Sequence, residues 1–237
     1  MLKKIKQDSR LQFQQLGYPS KKLENWKFSS SSHLKKYESE SIRDNNLSIE
    51  QYNNKYTLCF INGELSQESL NDFFYKDHIS ISDIETLNDN QVSATSSNFK
   101  KEAFFNLGLS TMKTGKYFEF KKGLEFDTPI EIVNLYNKNS KNLRISSFNI
   151  FKINEGNNVS IIEKDINQGN DSFNLSLKKF ICSDDSTLNH SMIHDDDTGS
   201  NYLGYNYYEL GRTSFLNIDS INTQSTFNKN FIEGMMT

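Results

Sequence analysis

Several kinds of residue are scarce here, and each scarcity narrows the class. The two cysteines, Cys59 and Cys182, stand 123 positions apart with no Cys-x-x-Cys anywhere. That spacing suits neither a disulfide framework nor a zinc site, and two unpaired thiols in a reducing compartment is the simplest account. Each is read as a small buried hydrophobe. No apolar run approaches the roughly 18 residues that a membrane-crossing helix needs. The opening residues, MLKKIKQDSRLQFQQLG, are basic but have no apolar centre, so they are not read as a secretory leader. With a net charge of −3, the chain as a whole lacks the basic excess that strong nucleic-acid binding requires. These absences predict a cytoplasmic protein that engages neither nucleic acid nor membrane.

Aromatics and asparagine are plentiful. Hydrophobic residues make up only 35% of the chain, but 18 Phe and 11 Tyr bury a large area each and offset that low share. The 29 Asn are not all read as turns, because Asn, Lys, Ile, Phe and Tyr share AT-rich codons.

Leu2, Ile5, Leu11 with Phe13, and Leu16 recur at helical intervals, and Gly17 sits where a helix would stop. Pro19 blocks continuation, and Ser20 is placed to cap a second short helix through KKLENWKF. In that helix Leu23, Trp26 and Phe28 are expected as anchors, with Lys21, Lys22, Glu24 and Lys27 in water. YTLCFING, from Tyr56 to Gly63, reads as a strand ending in an Asn62-Gly63 turn, and KKEAFFNLGLS reads as a helix. Beyond Lys116 the character changes. Eight strand-like runs start at Tyr117, Ile130, Arg144, Asn158, Phe173, Ser186, Tyr202 and Ser214, at intervals of 12 to 16 residues separated by turn chemistry. That spacing means an all-β body, and a sandwich, a meander or a solenoid each fits it. Constant run length without proline or long crossovers favours the solenoid. Three regions follow: helical at 1–55, mixed at 56–115, and solenoid at 116–237.

No catalytic signature emerges. On a helix, His190 and His194 would share one face ready for a metal, but on a strand they sit about 13 Å apart, too far for one ion. They are read as strand histidines followed by an acidic turn at Asp195 to Asp197. Glu163 and Asp165 share a strand face and are read as solvated. Tyr205 and Tyr207 share one face and Tyr202 and Tyr208 the other, as ordinary sheet packing. No phosphate-binding loop is visible: NEGNN has one glycine and leads into a strand.

The stretch LGYPSKKLENWKFSS resembles the N-terminal signature of the SufB/SufD family of iron–sulfur cluster assembly scaffolds, on Gly17, Pro19, Glu24, Trp26, Lys27, Phe28 and Ser29. Three later stretches agree in order. LCFINGELSQESL resembles the family's strand and turn, here Asn62-Gly63. FEFKKGLEFDTPIEIVNLY resembles its Gly-x5-Pro-Ile passage, here Gly123 and Pro129. LRISSFNIFKINEGNNVSIIEKD resembles a passage carried by Arg144, Gly156 and Glu163. The match runs over most of the chain from residue 8 and is closest to the D-type member.

That resemblance implies a helical N-terminal region leading into a right-handed parallel β-helix, with these signature residues structural. It implies a protein that is not an enzyme. The role would be in cluster assembly and iron acquisition, with a SufB-like subunit and a SufC-like ATPase as partners. The cluster would be the product of the complex, with no cofactor, catalytic residue or metal ligand assigned to this chain. Family members continue past the point where this chain stops, at NKNFIEGMMT, so the resemblance also implies a member shortened at its C-terminus. Contact with the ATPase is in doubt on that account. Two other classes compete: a β-helix enzyme acting on polysaccharide, and a structural solenoid.

Overall fold

The computed structural model describes residues 2–37, 48–87, 98–123, 126–136, 143–167, 172–196, 200–223 and 226–237. Helix α1 spans Leu2–Leu16 and ends at Gly17, whose φ of +63° lets its amide reach the Phe13 carbonyl at 2.8 Å. Leu2, Ile5 and Phe13 pack inward, but Leu11 and Leu16, expected on the same stripe, are exposed. The helix leans mainly on one neighbour, so a narrow stripe suffices.

The helix expected over Lys21–Phe28 is instead a single 3₁₀ turn, Glu24–Trp26, and the Ser20 hydroxyl accepts from the nearby Lys22 amide at 3.4 Å rather than capping a longer helix. One turn directs one large side chain inward. Trp26 takes that place at 1% exposure, while Leu23 at 52% and Phe28 at 91% face outward, against expectation.

Strand β1 (Thr57–Ile61) turns through Asn62 and Gly63 into β2 (Glu64–Leu65); both turn residues have positive φ, the requirement of a tight two-residue hairpin. Helix α2 (Gln67–Asp72), strand β3 (Ile79–Asp83) and helix α3 (Ala103–Thr111) follow. Then come β4 (Lys116–Phe120), β5 (Ile130–Tyr136), β6 (Leu143–Ile153), β7 (Asn158–Asn167) and β8 (Ser172–Cys182). The last four are β9 (Thr187–Asp196), β10 (Ser200–Leu210), β11 (Phe215–Asn222) and β12 (Phe227–Met236). All eight expected strands form. The twelfth was not anticipated.

The strands form two sheets, ordered β11-β9-β7-β5-β1-β2 and β12-β10-β8-β6-β4-β3, and from β4 onward successive strands alternate between them. From β4 onward every pairing is parallel and joins strands two apart in sequence. A meander would pair sequence neighbours antiparallel, so the chain is a mainly β parallel solenoid of about three turns behind a small N-terminal helix. Leu143 lies beside Ser172 and Ser172 beside Ser200, so one circuit takes 29 and then 28 residues.

The turns stack as well. Gly156, Asp185 and Thr213 occupy the same left-handed place in three successive turns, and the Gly156 amide reaches the Asp184 carbonyl at 3.3 Å. Glycine is at ease there; Thr213 is held by its hydroxyl, which donates to the Asp185 carboxylate.

Alternation sends one phase of each strand into the lumen and the other outward. In the lumen Phe118, Phe151, Phe180 and Tyr208 form a ladder of nearly parallel rings, with centroids 4.7, 4.8 and 4.9 Å apart from turn to turn. The outward phase of the β4–β12 sheet, including Phe148, Phe173, Leu175 and Tyr205, is covered by α3 and the N-terminal segment. Trp26 lies between Phe104 of α3 and Phe227 and Phe231 of β12, at 5.2, 6.3 and 6.3 Å, with the Lys229 ammonium 5.1 Å over its ring. Its Nε1 donates to Glu102 at 3.4 Å.

Candidate functional site: a charged network in the lumen

One part of the lumen is lined by the aromatic ladder and aliphatic side chains, and another is polar. Glu163 and Asp165 of β7, expected in water, are 1% and 2% exposed. They share the inward phase with Val159 and Ile161, as His190 and His194 of β9 share it with Leu188 and Met192. Each acid therefore meets a histidine. His194 stands directly beside Asp165 in the parallel register, with Nδ1 2.9 Å from Oδ2. His190 reaches Glu163 diagonally, with Nε2 3.2 Å from Oε2 and off the line of a well-aimed hydrogen bond.

The opposite sheet completes both clusters. Lys178 of β8 forms a buried ion pair with Glu163. Tyr208 of β10, the last ring of the ladder, lies with its hydroxyl 2.7 Å from His190 Nδ1. The tautomer with a proton on Nε2 lets that hydroxyl donate to Nδ1 and leaves Nε2–H facing Glu163. Asp165 accepts from the Tyr136 hydroxyl at 3.2 Å, and Asn230 Nδ2 lies 3.3 Å from His194 Nε2. The Tyr202 ring lies 4.1 Å from that of His194. Gly204 gives these groups room: a Cβ there would stand 2.2 Å from Asn230 Oδ1 and 2.9 Å from the Tyr202 ring.

The electrostatics follow from burial and partners together. Burial by itself pushes the Glu163 carboxyl up, but Lys178 and His190 outweigh it and hold it at about 2. Burial pushes Lys178 the other way, and Glu163 reverses that, so the ammonium keeps its proton. Burial raises the Tyr202 and Tyr208 hydroxyls. A lysine locked in its charged form is no nucleophile. Burial likewise pushes the Cys59 thiol up to about 11 and that of Cys182 to about 12, so both act as packing groups. The charges of the cluster are paired inside the lumen, where these side chains are buried.

The two histidines sit on a strand, as expected, each with its own carboxylate rather than a shared ion. Strand β9 extends through Asp196, so Asp195 and Asp196 belong to the strand and not to the expected acidic turn; Asp197 lies outside the described residues. Tyr205 and Tyr207 face outward and Tyr202 and Tyr208 inward, as read from the alternation. Among the described residues no group of three or more His, Cys, Asp and Glu side chains is arranged to hold a metal, and no helix is long and apolar enough to cross a membrane.

The signature residues do not converge. Gly17 closes α1, the Pro19 carbonyl accepts from Ser31 at 2.6 Å, Glu24 opens the 3₁₀ turn, and Lys27 lies 5.5 Å over the Phe28 ring. Asn62 and Gly63 make the hairpin, Pro129 precedes β5, and Arg144 donates to the Tyr37 carbonyl at 3.1 Å. Gly156 makes a stacked turn, and only Glu163 belongs to the buried network. Lys178, Tyr136 and Asn230, which help to complete it, carried no sequence signal of their own, and Tyr208 was read only as sheet packing. No protein-family model matches the chain, and no curated protein matches it.

Proposed function

We propose that the chain is a non-catalytic component of an iron–sulfur cluster assembly scaffold of the SufB/SufD type, closest to SufD. It would work in the cytoplasm beside a SufB-like subunit and a SufC-like ATPase. The observation that carries the reading is architectural. A short segment bearing the Trp26 signature docks against a parallel β-solenoid, the arrangement that the ordered signatures imply. The sealed state of the charged cluster supports a binding rather than a chemical role. Enzymatic attack on polysaccharide is less well supported, since the outward acids Glu119, Glu131, Glu155 and Glu209 each pair with a lysine.

Co-expression with the SufB-like and SufC-like proteins of the same organism, followed by affinity capture and size-exclusion chromatography, tests the proposal. Capture of the SufB-like subunit in a complex that accumulates iron and sulfide is the expected result. A chain that captures neither protein refutes it.

A further inference from the structure

Charge is distributed unevenly along this chain. Residues 1–37 hold nine Lys and Arg against two acids, a net of +7, so the other 200 residues carry −10 to give the total of −3. The fold gathers that basic segment on one side. Helix α1 rests on α3, α3 rests on β6 and β8, and Trp26 rests on α3 and β12, so the inner surfaces of this layer all point to one sheet. Its outer surfaces therefore face solvent together. Lys3, Lys4, Arg10, Lys21, Lys22, Lys27 and Lys35 are exposed there. Among the described residues none of Lys21, Lys22 and Lys27 has an acidic partner at ion-pair distance.

The same segment exposes large apolar side chains. Leu11, Leu16, Leu23 and Phe28 lie within these 37 residues, with Phe28 the most exposed large hydrophobic residue described, at 91%. Leu23 and Phe28 flank the inward-pointing Trp26 and are themselves flanked by Lys21, Lys22 and Lys27. Protruding apolar groups ringed by lysine are what a surface needs to settle on anionic lipid: the apolar tips enter the headgroup boundary while the ammonium groups meet phosphates. Nucleic acid would use the charge but gives exposed leucines nothing to do. The acidic remainder adds a reason for one orientation, being repelled by the same surface that attracts the basic layer.

The geometry points to the N-terminal layer as a peripheral docking face for an anionic lipid surface, centred on Leu23, Phe28 and the lysines beside them. The chain lies on the bilayer rather than crossing it, which revises the expectation of no membrane contact drawn from the lack of a long apolar run. Co-sedimentation of the full chain with vesicles of phosphatidylglycerol and phosphatidylcholine, against phosphatidylcholine alone, tests this.

Binding is expected to the anionic vesicles only and to weaken with salt. The triple change Lys21→Glu, Lys22→Glu and Lys27→Glu should reduce it on the order of tenfold or more. Phe28→Ala should also weaken binding at unchanged melting temperature, because that ring supports nothing inside the fold. No association with anionic vesicles overturns the proposal, as does binding indifferent to the triple change. Charge-dependent binding to single-stranded RNA or to the SufB-like subunit, with vesicles ignored, overturns it too and reassigns the face. Because the readout uses the chain alone, the outcome is independent of whether the scaffold role holds.

Discussion

Removing Lys178 while keeping Glu163 is the most direct test of the buried network. The two side chains are each 2% exposed and oppositely charged, and Glu163 is held at about 2 against an ordinary value of 4.5. A difference of that size corresponds to roughly 3 kcal/mol of stability linked to this one carboxylate. In Lys178→Met the carboxylate keeps only His190, at 3.2 Å. Breaking a buried pair in this way costs about 3–5 kcal/mol, and the lower end is expected here because one partner remains.

The double change Glu163→Leu with Lys178→Met removes both charges and should recover most of that loss. Urea unfolding of the wild type, both single variants and the double variant, followed by far-UV circular dichroism, gives the cycle. The pH dependence has a definite sign. A carboxyl depressed in the folded state contributes stability that is intact above its unfolded value and lost as pH falls. The wild type should therefore weaken between about pH 4.5 and about pH 2. In Lys178→Met burial is no longer outweighed by the lysine, so this acid limb should shrink or reverse. If the single change costs under about 1 kcal/mol with an unaltered acid limb, the pair is not sealed as described and the reasoning fails.

Trp26→Ala should cost about 3–5 kcal/mol and loosen the N-terminal segment before the sheets, seen as early loss of amide protection in residues 2–37 during hydrogen exchange. Phe180→Ala takes out an inner rung of the ring ladder, with neighbours at 4.8 and 4.9 Å, and should lower stability by a similar amount without altering the far-UV spectrum of the folded protein. Cys59 and Cys182, both buried with raised thiols, should resist a thiol reagent in the native state and react together on unfolding; fast labelling of either at neutral pH would contradict their burial.

The body of the fold was legible because each circuit repeats the same physical punctuation: a run of alternating side chains, then Gly, Asn or Asp where the chain needs left-handed backbone. Gly156 and Asp185 are such places, with Thr213 filling the third, and the spacing of the runs reports them. Strand β12 escaped because Lys229, Asn230 and Gly234 dilute its pattern, and it is held by Trp26 from far away in sequence. The network was misread for a different reason. In β7 both phases contain isoleucine, Ile161 inward and Ile162 and Ile166 outward, so one strand alone does not say which side is wet. The signal was in β9, where His190 and His194 share their phase with Leu188 and Met192. Aligning the two strands one circuit apart would have brought acid and histidine together. Leu23 and Phe28 were misplaced because hydrophobicity alone ranked them with Trp26, whereas a single 3₁₀ turn directs one of the three inward.

The clasp between Trp26 and β12 also bears on how the chain is made. Asn25 offers its carbonyl to Lys229, 204 positions later, so this segment leaves the ribosome well before its partner does. Until β12 exists, the indole lies against Phe104 without the rings of Phe227 and Phe231, and a solenoid that could otherwise wind up one circuit at a time keeps the Trp26 segment waiting. Closure across that sequence distance makes this step of folding a long-range search, slow compared with the winding of neighbouring circuits. During that interval the exposed indole is the place where a nascent chain is open to a chaperone or to another copy of itself.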